Sequence, residues 1–495
     1  MLNLNIVAVC AILGNEEIKP MSAISEVKAF HVQAKKEGSL RSHVPPRPEE
    51  RFYSPLESAP RKKLEEIRDW RLRHIVNWAY RKSPFYRKLW DEAGVEVEDI
   101  KGYDDLEKLP VWRKEQQRQD EAEYPPFGSL AVKELVPYVP RLFRSTGTTG
   151  KPTTYLWVKE EFDFVAEVTA RWFHSCGFRP GGAYIEFAPQ ARGQAAPTLE
   201  AAVKNLGMVY YVEEIGGFQA DPVASCHFQI ELAKHYKSLA TFMAPEFLVT
   251  LGRQFEQMGI ECPYDVLAPG GTPLTPGMRR ELVGLYPKVR GFVNIIGGLD
   301  GGRNFECLLS ATKGLNWLHE NEDLVIYEVV KPGTNERAGP GERGELVFTN
   351  LCNHTQPFIR FSSGDVFSNS FTLESCECGR TTKRWLEPCP GRLKDVFQVR
   401  GCQLLPWDVE VVIGDIPETT LNFQVILDNW NMDRLHVKVE THRALPAPNY
   451  EQIVASILEE RLKLPVVAEV VPAGSLLPPA GKWKMAKVVD HRPKR

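Results

Sequence analysis

The amino-acid sequence predicts an α/β protein with a large layered N-terminal domain and a small α+β C-terminal domain. Three observations support this prediction. The chain has 495 residues, a length that ordinarily forms about two to four domains. Short apolar runs alternate with amphipathic stretches between residues 132 and 289, which is typical of a sheet covered by helices. Beyond residue 391 closely spaced strands prevail.

The composition is that of an ordinary globular protein. Hydrophobic residues make up 43% and charged residues 25%, which excludes extensive disorder, a coiled coil and a collagen-like chain. The 61 basic and 64 acidic residues give a net charge of −3, so a protein that coats nucleic acid is not expected. The chain lacks an apolar stretch of about 18 residues, so we expect no membrane partner either.

The first residues do not resemble a secretory signal. The apolar run MLNLNIVAVCAILG has no basic segment before it and is followed by Glu16 and Glu17. We expect residues 1–62 to form an N-terminal extension and a lead-in rich in proline and charge. Because no secretory signal is recognised, we expect a cytoplasmic, reducing location. The ten cysteines are then expected to stay free of disulfides. Lone cysteines such as Cys176 and Cys226 are expected to be buried as small apolar residues.

Residues 63–390 are expected to form the large domain. A helix is predicted from Leu64 to Trp90, with a break at Pro84, because proline inside a helix removes a hydrogen bond. Strands are predicted at AYIEFAP, MVYYVEE, LATFMAP and YDVLAPGG, and helices at VASCHFQIELAKHY and EFLVTLGRQFEQM. From Leu324 the strands LVIYEVV and ELVFTN follow.

Residues 391–495 are expected to form the small domain, with the boundary at about Gly391. The segments DVFQVRG, LNFQVIL, LHVKVET and VVAEVVP alternate apolar and polar residues as strands do. A helix is predicted from Tyr450 to Leu464. Three or four strands and one helix suit a compact α+β unit.

The segment RSTGTTGKPT, residues 144–153, is the sharpest local signal for a ligand. It combines backbone N–H groups, hydroxyls and one positive charge, which is what a triphosphate needs. It is not a Walker A loop, because the spacing fails and a proline follows the lysine. A flexible linker is the alternative, but it would not need the lysine. The predicted phosphate ligands are Ser145, Thr146, Gly147, Thr148, Thr149, Gly150 and Lys151.

Three cysteines and one histidine form a candidate metal site. Cys376 and Cys378 make a Cys-x-Cys pair on a turn, while Cys307 and His319 lie either side of a short mixed segment. Three thiolates and one imidazole suit a closed, tetrahedral structural zinc site. Because Cys-x-Cys is less specific than Cys-x-x-Cys, the spacing alone leaves metal-free thiols equally open.

Taken together, these segments resemble the adenylate-forming enzymes, the superfamily of acyl-CoA synthetases, adenylation domains and luciferases. RSTGTTGKPT is similar to their phosphate loop. Residues 83–87 (SPFYR), 93–95 (AGV) and 106–110 (LEKLP) match the lead-in pattern of the phenylacetate–CoA ligase family. The resemblance covers about residues 62–490. It implies a large domain of the adenylate-forming type and a small C-terminal domain that acts as a lid.

The resemblance implies nucleotide-binding residues after the strand YDVLAP. Gly270, Gly271 and Thr272 lie where the family reads Gly-Ala-Glu, although a strand-ending turn would show the same residues. Ile296 replaces the aromatic residue that packs on adenine. Asp300 replaces the glutamate associated with magnesium, one methylene shorter. These replacements put the affinity for ATP in question.

Further nucleotide and hinge residues are implied near the domain boundary. Asp365 ends the segment FIRFSSGD, which resembles the family's Arg-Tyr-Arg-Thr-Gly-Asp, and a carboxylate there can accept both ribose hydroxyls. An ordinary Asx turn is the alternative. Arg392 would reach the ribose or a phosphate. Lys394 falls at the pivot of the lid.

The family places a catalytic lysine near the C-terminus, where it enters the active site during adenylation. If the segment PAGKWKMAKVVD is aligned with the family at Gly481, Lys482 matches the catalytic lysine. If it is aligned at the final KVVD, Lys484 matches it. We prefer Lys484. A solvated basic tail is the alternative.

Family members also carry zinc ligands at similar places, which favours a structural Zn²⁺ held by Cys307, His319, Cys376 and Cys378. His319 and Asp323 fit the His-x-x-x-Asp pattern of CoA-dependent acyltransferases as well. The glycine usual after that aspartate is Leu324 here, and no second signature accompanies the pattern.

The resemblance implies an enzyme that activates an aryl or arylacetic acid with ATP and Mg²⁺ and transfers the acyl group to CoA. A carboxylate is a poor electrophile, whereas the AMP of an acyl adenylate leaves readily. Charge develops on the phosphates, so positive groups and loop donors supply the catalysis. Two alternatives stay open: a ligase that passes the acyl group to an amine or carrier protein, and a non-catalytic, zinc-stabilised relative. A homodimer is also left open.

Overall fold

A computed structural model describes most of the chain. The described residues are 21–41, 44–47, 49–144, 152–188, 195–297, 303–387, 389–430, 432–442, 447–476 and 486–492. Within them the helices are too short or too polar to cross a membrane.

Four helices precede the first strand: α1 (Ala23–Glu37), α2 (Arg61–Lys82), α3 (Pro84–Glu92) and α4 (Lys114–Glu123). The predicted break at Pro84 is confirmed, and this proline occupies the first position of α3, where its missing N–H costs nothing. Helix α1 lies inside the segment that we expected to be an extension. Its residues Val27, Phe30 and Ala34 are buried in the core that α2 shares, so this part of the segment packs as an integral element.

A parallel sheet forms the centre of the large domain. The strands and helices of this region are β1 (Arg141–Arg144), β2 (Thr154–Trp157), α5 (Lys159–Cys176), β3 (Ala183–Ala188), α6 (Ala195–Asn205), β4 (Val209–Glu214), α7 (Ile215–Ala220), α8 (Pro222–His235), β5 (Leu239–Met243), α9 (Pro245–Gln257), β6 (Val266–Pro269) and α10 (Pro276–Leu285). Strands β3 to β6 are parallel in the order β4-β3-β5-β6. All four strands, and helices α8 and α9, match the predicted segments. Cys176, Cys226 and Cys262 are buried, as expected.

Besides the two-stranded sheet of β1 and β2, the described part of the large domain contains two further sheets. They contain β7 (Ile295–Gly297), β8 (Arg303–Glu306), α11 (Leu308–Lys313), β9 (Leu318–His319), β10 (Val325–Val330), β11 (Arg343–Asn350), β12 (Phe361–Ser368), β13 (Phe371–Thr372), β14 (Arg384–Trp385) and β15 (Gly391–Arg392). One has the order β13-β14-β9-β8-β7 and the other β10-β11-β12-β15. The predicted strands LVIYEVV and ELVFTN are β10 and β11.

The C-terminal domain has a hydrophobic core of its own. Its elements are β16 (Phe397–Val399), β17 (Cys402–Leu404), α12 (Pro406–Ile413), β18 (Thr419–Leu427), β19 (Leu435–Thr441), α13 (Tyr450–Leu462), β20 (Val466–Pro472) and β21 (Val488–Asp490). The sheet order is β20-β19-β18-β21. The sequence predicted β16, β18, β19, β20 and α13. It missed the short strands β17 and β21, and it missed α12, because PWDVEVVI is short and mostly apolar and lacks a helical period.

A buried ion pair joins three parts of the large domain. Arg171 of α5 is 1% exposed and donates two hydrogen bonds to the carboxylate of Asp323, at 2.8 and 3.0 Å. The same guanidinium contacts Glu167 at 3.3 Å and donates to the carbonyl oxygen of Ser39 at 2.8 Å. The segment after α1, helix α5 and the loop before β10 are therefore fastened at one point.

Replacing Arg171 with methionine is expected to lower the free energy of unfolding by about 3–5 kcal/mol, because the buried carboxylates of Asp323 and Glu167 lose the cation that pairs with both of them. Lys204→Met is the matched control. It removes an exposed pair with Glu200 and should cost less than about 1 kcal/mol. Urea denaturation followed by tryptophan fluorescence measures both variants, and equal losses would contradict the role given to the buried pair.

Candidate functional site

The predicted glycine turn lies at the carboxyl end of the parallel sheet. Gly270 follows β6 directly, and its N–H donates to the carbonyl of Met243 at the end of β5, at 3.1 Å. In sheets of this kind, ligands bind beyond the carboxyl ends of the strands, near the point where the strand order reverses. Here β3 has β4 on one side and β5 on the other. The turn therefore lies where the fold ordinarily binds a ligand.

Two glycines are required in this turn for different reasons. A β-carbon on Gly270 would lie 2.7 Å from the Cγ2 of Ile295 and 2.8 Å from the Cε2 of Phe242, so a larger residue would clash. Gly271 has a φ of +88°, which favours glycine. The turn is thereby packed directly against β7, the strand that carries Ile296. Ile296 is partly exposed and packs against the hydrophobic core of the large domain.

Thr272 is held by a residue that the sequence analysis did not identify. Its hydroxyl donates to Glu246 Oε2 at 2.9 Å. Glu246 lies in the first turn of α9, which follows β5. The sequence does contain a signal for Glu246: it is an acidic residue at the start of a helix that follows a predicted strand. Such a residue lies at the carboxyl edge of the sheet.

Asp365 and Arg392 are brought together by the pairing of β12 with β15. Their side chains approach to 3.4 Å between Arg392 Nε and Asp365 Oδ1. Partial burial raises the pKa of Asp365, and the Arg392 guanidinium opposes that effect. A carboxylate beside a cation at the edge of a sheet can accept hydrogen bonds from a ribose while the guanidinium contacts a phosphate.

Lys394 lies in a short 3₁₀ turn, Leu393–Asp395, between the two domains. The preceding strand, β15, belongs to a sheet of the large domain, whereas Phe397 of the following strand is buried in the core of the C-terminal domain. The Lys394 side chain is exposed and its ammonium lies 3.7 Å from Asp395. This position is suited to a pivot, because few packing contacts restrain it.

Several predicted ligands lie outside the described residues. They are the phosphate loop residues Ser145, Thr146, Gly147, Thr148, Thr149, Gly150 and Lys151, together with Asp300, Lys482 and Lys484. The described strands β1 and β2 pair antiparallel on either side of residues 145–151. The roles given to these ten residues stay predictions.

The four predicted metal ligands are brought together. The ligand atoms of Cys307, His319, Cys376 and Cys378 all lie within 4.8 Å of one another. Cys307 follows β8, His319 is in β9, and the two other cysteines are on the turn before β14. Pairing of β9 with both β8 and β14 places them side by side. Cys378 Sγ lies 3.6 Å from His319 Nε2.

The surroundings of this cluster fit a cation. The other ring nitrogen of His319, Nδ1, lies 3.3 Å from the hydroxyl of Thr382, so Nε2 is left for a metal. Hydrogen bonds from Cys307 lower the pKa of Cys376 and of Cys378, and the same bonds raise the pKa of Cys307, so the three thiols share their protons within one cluster. The N–H groups of Ser310 and Cys378 point at Cys307 and Cys376 sulfurs. The donor set suits tetrahedral Zn²⁺.

The acyltransferase pattern is not realised as a catalytic pair. His319 belongs to the cysteine cluster, and Asp323 is bound to Arg171. Burial by itself would raise the pKa of Asp323, but the charge and hydrogen bonds of Arg171, together with Arg71 and Ser39, lower it below its usual value. Neither side chain is available as the base of a transfer reaction.

Comparison with known proteins gives related sequences over most of the chain. A sequence model of the AMP-binding enzyme C-terminal domain matches residues 401–492. Phenylacetate-coenzyme A ligase of Thermus thermophilus is 31% identical over 420 residues, which cover 83% of this chain and 88% of that protein. The enzyme of the same name from Aromatoleum evansii is 30% identical over 467 residues, covering 89% and 97% respectively.

The fold is also found among solved structures. A crystal structure of 2-hydroxyisobutyryl-CoA ligase in the postadenylation state superposes with a TM-score of 0.78 at 21% sequence identity, over 90% of this chain and 93% of that one. The predicted fold class, a large layered α/β domain of the adenylate-forming type with a small C-terminal α+β domain, is confirmed.

Asp365→Asn is expected to weaken AMP binding about 10- to 100-fold, because a hydrogen bond to a charged group contributes about 1.5–3 kcal/mol. The ionised carboxylate is the better acceptor, and its pKa is raised. Wild-type affinity should therefore fall as the pH is lowered through that raised pKa, while the asparagine variant should show no such step. Calorimetric titration with AMP at several pH values measures this. Asp428→Asn, at an exposed aspartate of the C-terminal domain, should retain wild-type behaviour.

Proposed function

We propose a reaction scheme for this chain from the premise that it belongs to the phenylacetate–coenzyme A ligase family, to which relatives at 30% and 31% identity align over most of its length. The chain is accordingly an AMP-forming acid–thiol ligase. It activates a carboxylic acid with ATP and transfers the acyl group to CoA. The acid, the residues and the metals involved form the proposal that follows.

The proposed substrate is an arylacetic acid. The names of the two relatives support this. One aromatic ring, Phe242 of β5, approaches Gly270 at the carboxyl edge of the sheet. The neighbouring rings Phe187, Phe218 and Phe247, with centroids 5.0 to 5.8 Å apart, belong to the hydrophobic core and line that core, so the aryl assignment rests on the relatives.

In the first step, the substrate carboxylate attacks the α-phosphate of ATP, and pyrophosphate leaves. We assign the ribose hydroxyls to Asp365 and a ribose or phosphate oxygen to Arg392. The backbone of residues 145–151 and the ammonium of Lys151 would hold the β- and γ-phosphates. Mg²⁺ bound with ATP would add positive charge where negative charge develops, with Asp300 as its proposed protein ligand.

In the second step, the thiol of CoA attacks the acyl carbonyl, and AMP leaves. We propose that the C-terminal domain turns about Lys394 between the steps. The turn would withdraw the tail lysine, Lys484 or Lys482, and admit the thiol. The predicted division into an N-terminal extension (1–62), a large domain (63–390) and a lid (391–495) is part of this proposal, with two adjustments: α1 packs into the core of the large domain, and the lid begins beyond β15, which pairs in a sheet of the large domain.

We further propose a structural Zn²⁺ held by Cys307, His319, Cys376 and Cys378. Its role would be to fasten the turn before β14 to β8 and β9. Arg380 supports the same turn, since it donates to Glu57 at 2.8 Å and lies 3.7 Å from Cys378 Sγ. The metal site would thus stabilise the sheet that carries β7 and take no part in the chemistry.

Elemental analysis of protein purified without chelator is expected to give about one zinc per chain. Cys376→Ser should lose that zinc and lower the melting temperature, because structural zinc contributes directly to folding energy. Cys402→Ser is the matched control, since Cys402 is an exposed free thiol in β17. Wild-type protein without metal, or a cluster variant that melts like the control, would refute the zinc proposal.

Acid-dependent exchange of pyrophosphate into ATP tests the catalytic proposal. We expect phenylacetate and related aryl acids to support exchange, and CoA to convert the adenylate to a thioester that mass spectrometry detects. Short-chain acids serve as the control for an aryl preference. Exchange without a CoA thioester would favour an amine or a carrier protein as the acceptor. If no acid in a broad panel supports exchange, the non-catalytic alternative prevails.

A further inference from the structure

The lid meets the large domain through a close contact between two glycines. Gly277 lies in the first turn of α10, and Gly414 directly follows α12. A β-carbon added to Gly277 would lie 2.7 Å from the Cα of Gly414, and one added to Gly414 would lie 3.0 Å from the Cα of Gly277. Neither glycine has a positive φ. Glycine at both positions therefore allows the two backbones to lie in contact, and neither position requires glycine for its backbone conformation.

Polar contacts surround the two glycines. Arg280 of α10 donates to the carbonyl oxygen of Gly414 at 2.8 Å and to Asp415 at 2.6 Å. The hydroxyl of Thr275, which caps the N-terminus of α10, lies 3.3 Å from Glu410 Oε1 of α12. Leu421 of the lid is buried in a hydrophobic cluster of the large domain. The interface therefore combines apolar packing with hydrogen bonds of defined geometry.

Glu410 is the buried charge of this interface. It is 8% exposed, and the ammonium of Lys487 lies 3.6 Å from its Oε2. Lys487 also donates to the carbonyl oxygen of Leu421 at 3.2 Å and lies over the ring of Phe423 at 4.4 Å. A buried carboxylate needs such partners, since an unpaired charge in this position would be costly.

The same contacts approach the candidate nucleotide turn. Thr275 follows Thr272 by three residues, and Thr272 is bound to Glu246. Lys487 directly precedes β21, so the chain that carries the candidate catalytic lysines enters the lid sheet beside Glu410. In the described orientation of the lid, Glu410, and with it Lys487, therefore lies beside the N-terminus of α10, the helix that follows this turn.

We propose that the contact of Gly277 with Gly414, together with Thr275, Glu410 and Lys487, is the docking site that holds the lid in the orientation for adenylation. These are positioning residues. The inference rests on the two-step reaction under "Proposed function". A turn of the lid about Lys394 would separate α12 from α10, so the contact stabilises one orientation at the expense of the other. Weakening it should slow adenylation and spare thioester formation.

Gly277→Ala tests this directly, with Gly284→Ala as its matched control on the same helix. A β-carbon on Gly284 meets nothing within 4 Å, and alanine improves helix propensity at both positions. We expect Gly277→Ala to slow pyrophosphate exchange about tenfold or more. Thioester formation from supplied acyl adenylate and CoA should stay within about twofold of wild type. Gly284→Ala should leave both rates unchanged.

Glu410→Gln provides a second variant, since it keeps the side-chain volume and removes only the charge that Lys487 faces. It should likewise lower the exchange rate selectively. A role in folding alone would lower both half-reactions together, and that outcome, or an unchanged exchange rate in both variants, would overturn the proposal.

A readout without catalysis separates failure of this inference from failure of the reaction scheme. Arg280→Cys with Asp415→Cys places two thiols where the native side chains touch, and a short bismaleimide should join them. Adding Gly277→Ala should lower the yield of this cross-link, measured by peptide mapping, whereas adding Gly284→Ala should not. If the acids support no exchange, the reaction scheme fails while the cross-link still tests the docking site. A yield that Gly277→Ala leaves unchanged would overturn the docking site itself.

Discussion

The buried pair of Arg171 and Asp323 is the interaction on which the large domain depends. It joins helix α5 to the loop before β10, and through the carbonyl of Ser39 it also holds the segment after α1. Helix α5 covers the parallel sheet, while β10 begins a separate antiparallel sheet. Because a buried charge tolerates little displacement from its partner, this pair fixes how the two sheets lie relative to each other. The edge that carries the glycine turn is positioned by the same constraint.

The candidate site is assembled from parts that are rigid for different reasons. The glycine turn is held by steric closeness, with Ile295 and Phe242 against Gly270. The β12–β15 pairing holds Asp365 beside Arg392. The cysteine cluster lies where the turn before β14 meets β8 and β9. Backbone ladders and buried packing thus prepare most of the described site before any ligand binds, which reduces the ordering that binding requires.

The lid is attached differently from the rest. Its chain connection passes through the exposed turn at Lys394. Its contact with the large domain combines two glycine backbones, the buried Glu410, the Arg280–Asp415 pair and the apolar side chain of Leu421. Such an interface can be specific without being extensive, because its backbones touch only in one arrangement. The proposed turn of this domain between the two steps requires a docked state that is well defined and that the domain can also leave. A few close contacts satisfy this requirement better than a large apolar surface would.

The sequence by itself determined the fold class, most of the central strands and helices, and the four members of the cysteine and histidine cluster. Strands β3 to β6 and β18 to β20 were predictable because each carries its own apolar pattern, and the cluster because thiols and an imidazole have distinctive chemistry. The sequence missed α12, whose apolar residues follow no helical period, and it missed the packing of α1 into the core. Only the tertiary structure assigns roles to Glu246, Glu410 and Lys487. In the sequence each is an ordinary acid or lysine. In the fold each has a partner more than 20 residues away, and replacing it would leave that partner unpaired. Gly277 is the clearest case: within α10 it appears as a weak helix former, and only the backbone of Gly414 explains it. Local periodicity is encoded in neighbouring residues, whereas close approach and charge pairing depend on residues that the fold alone brings together.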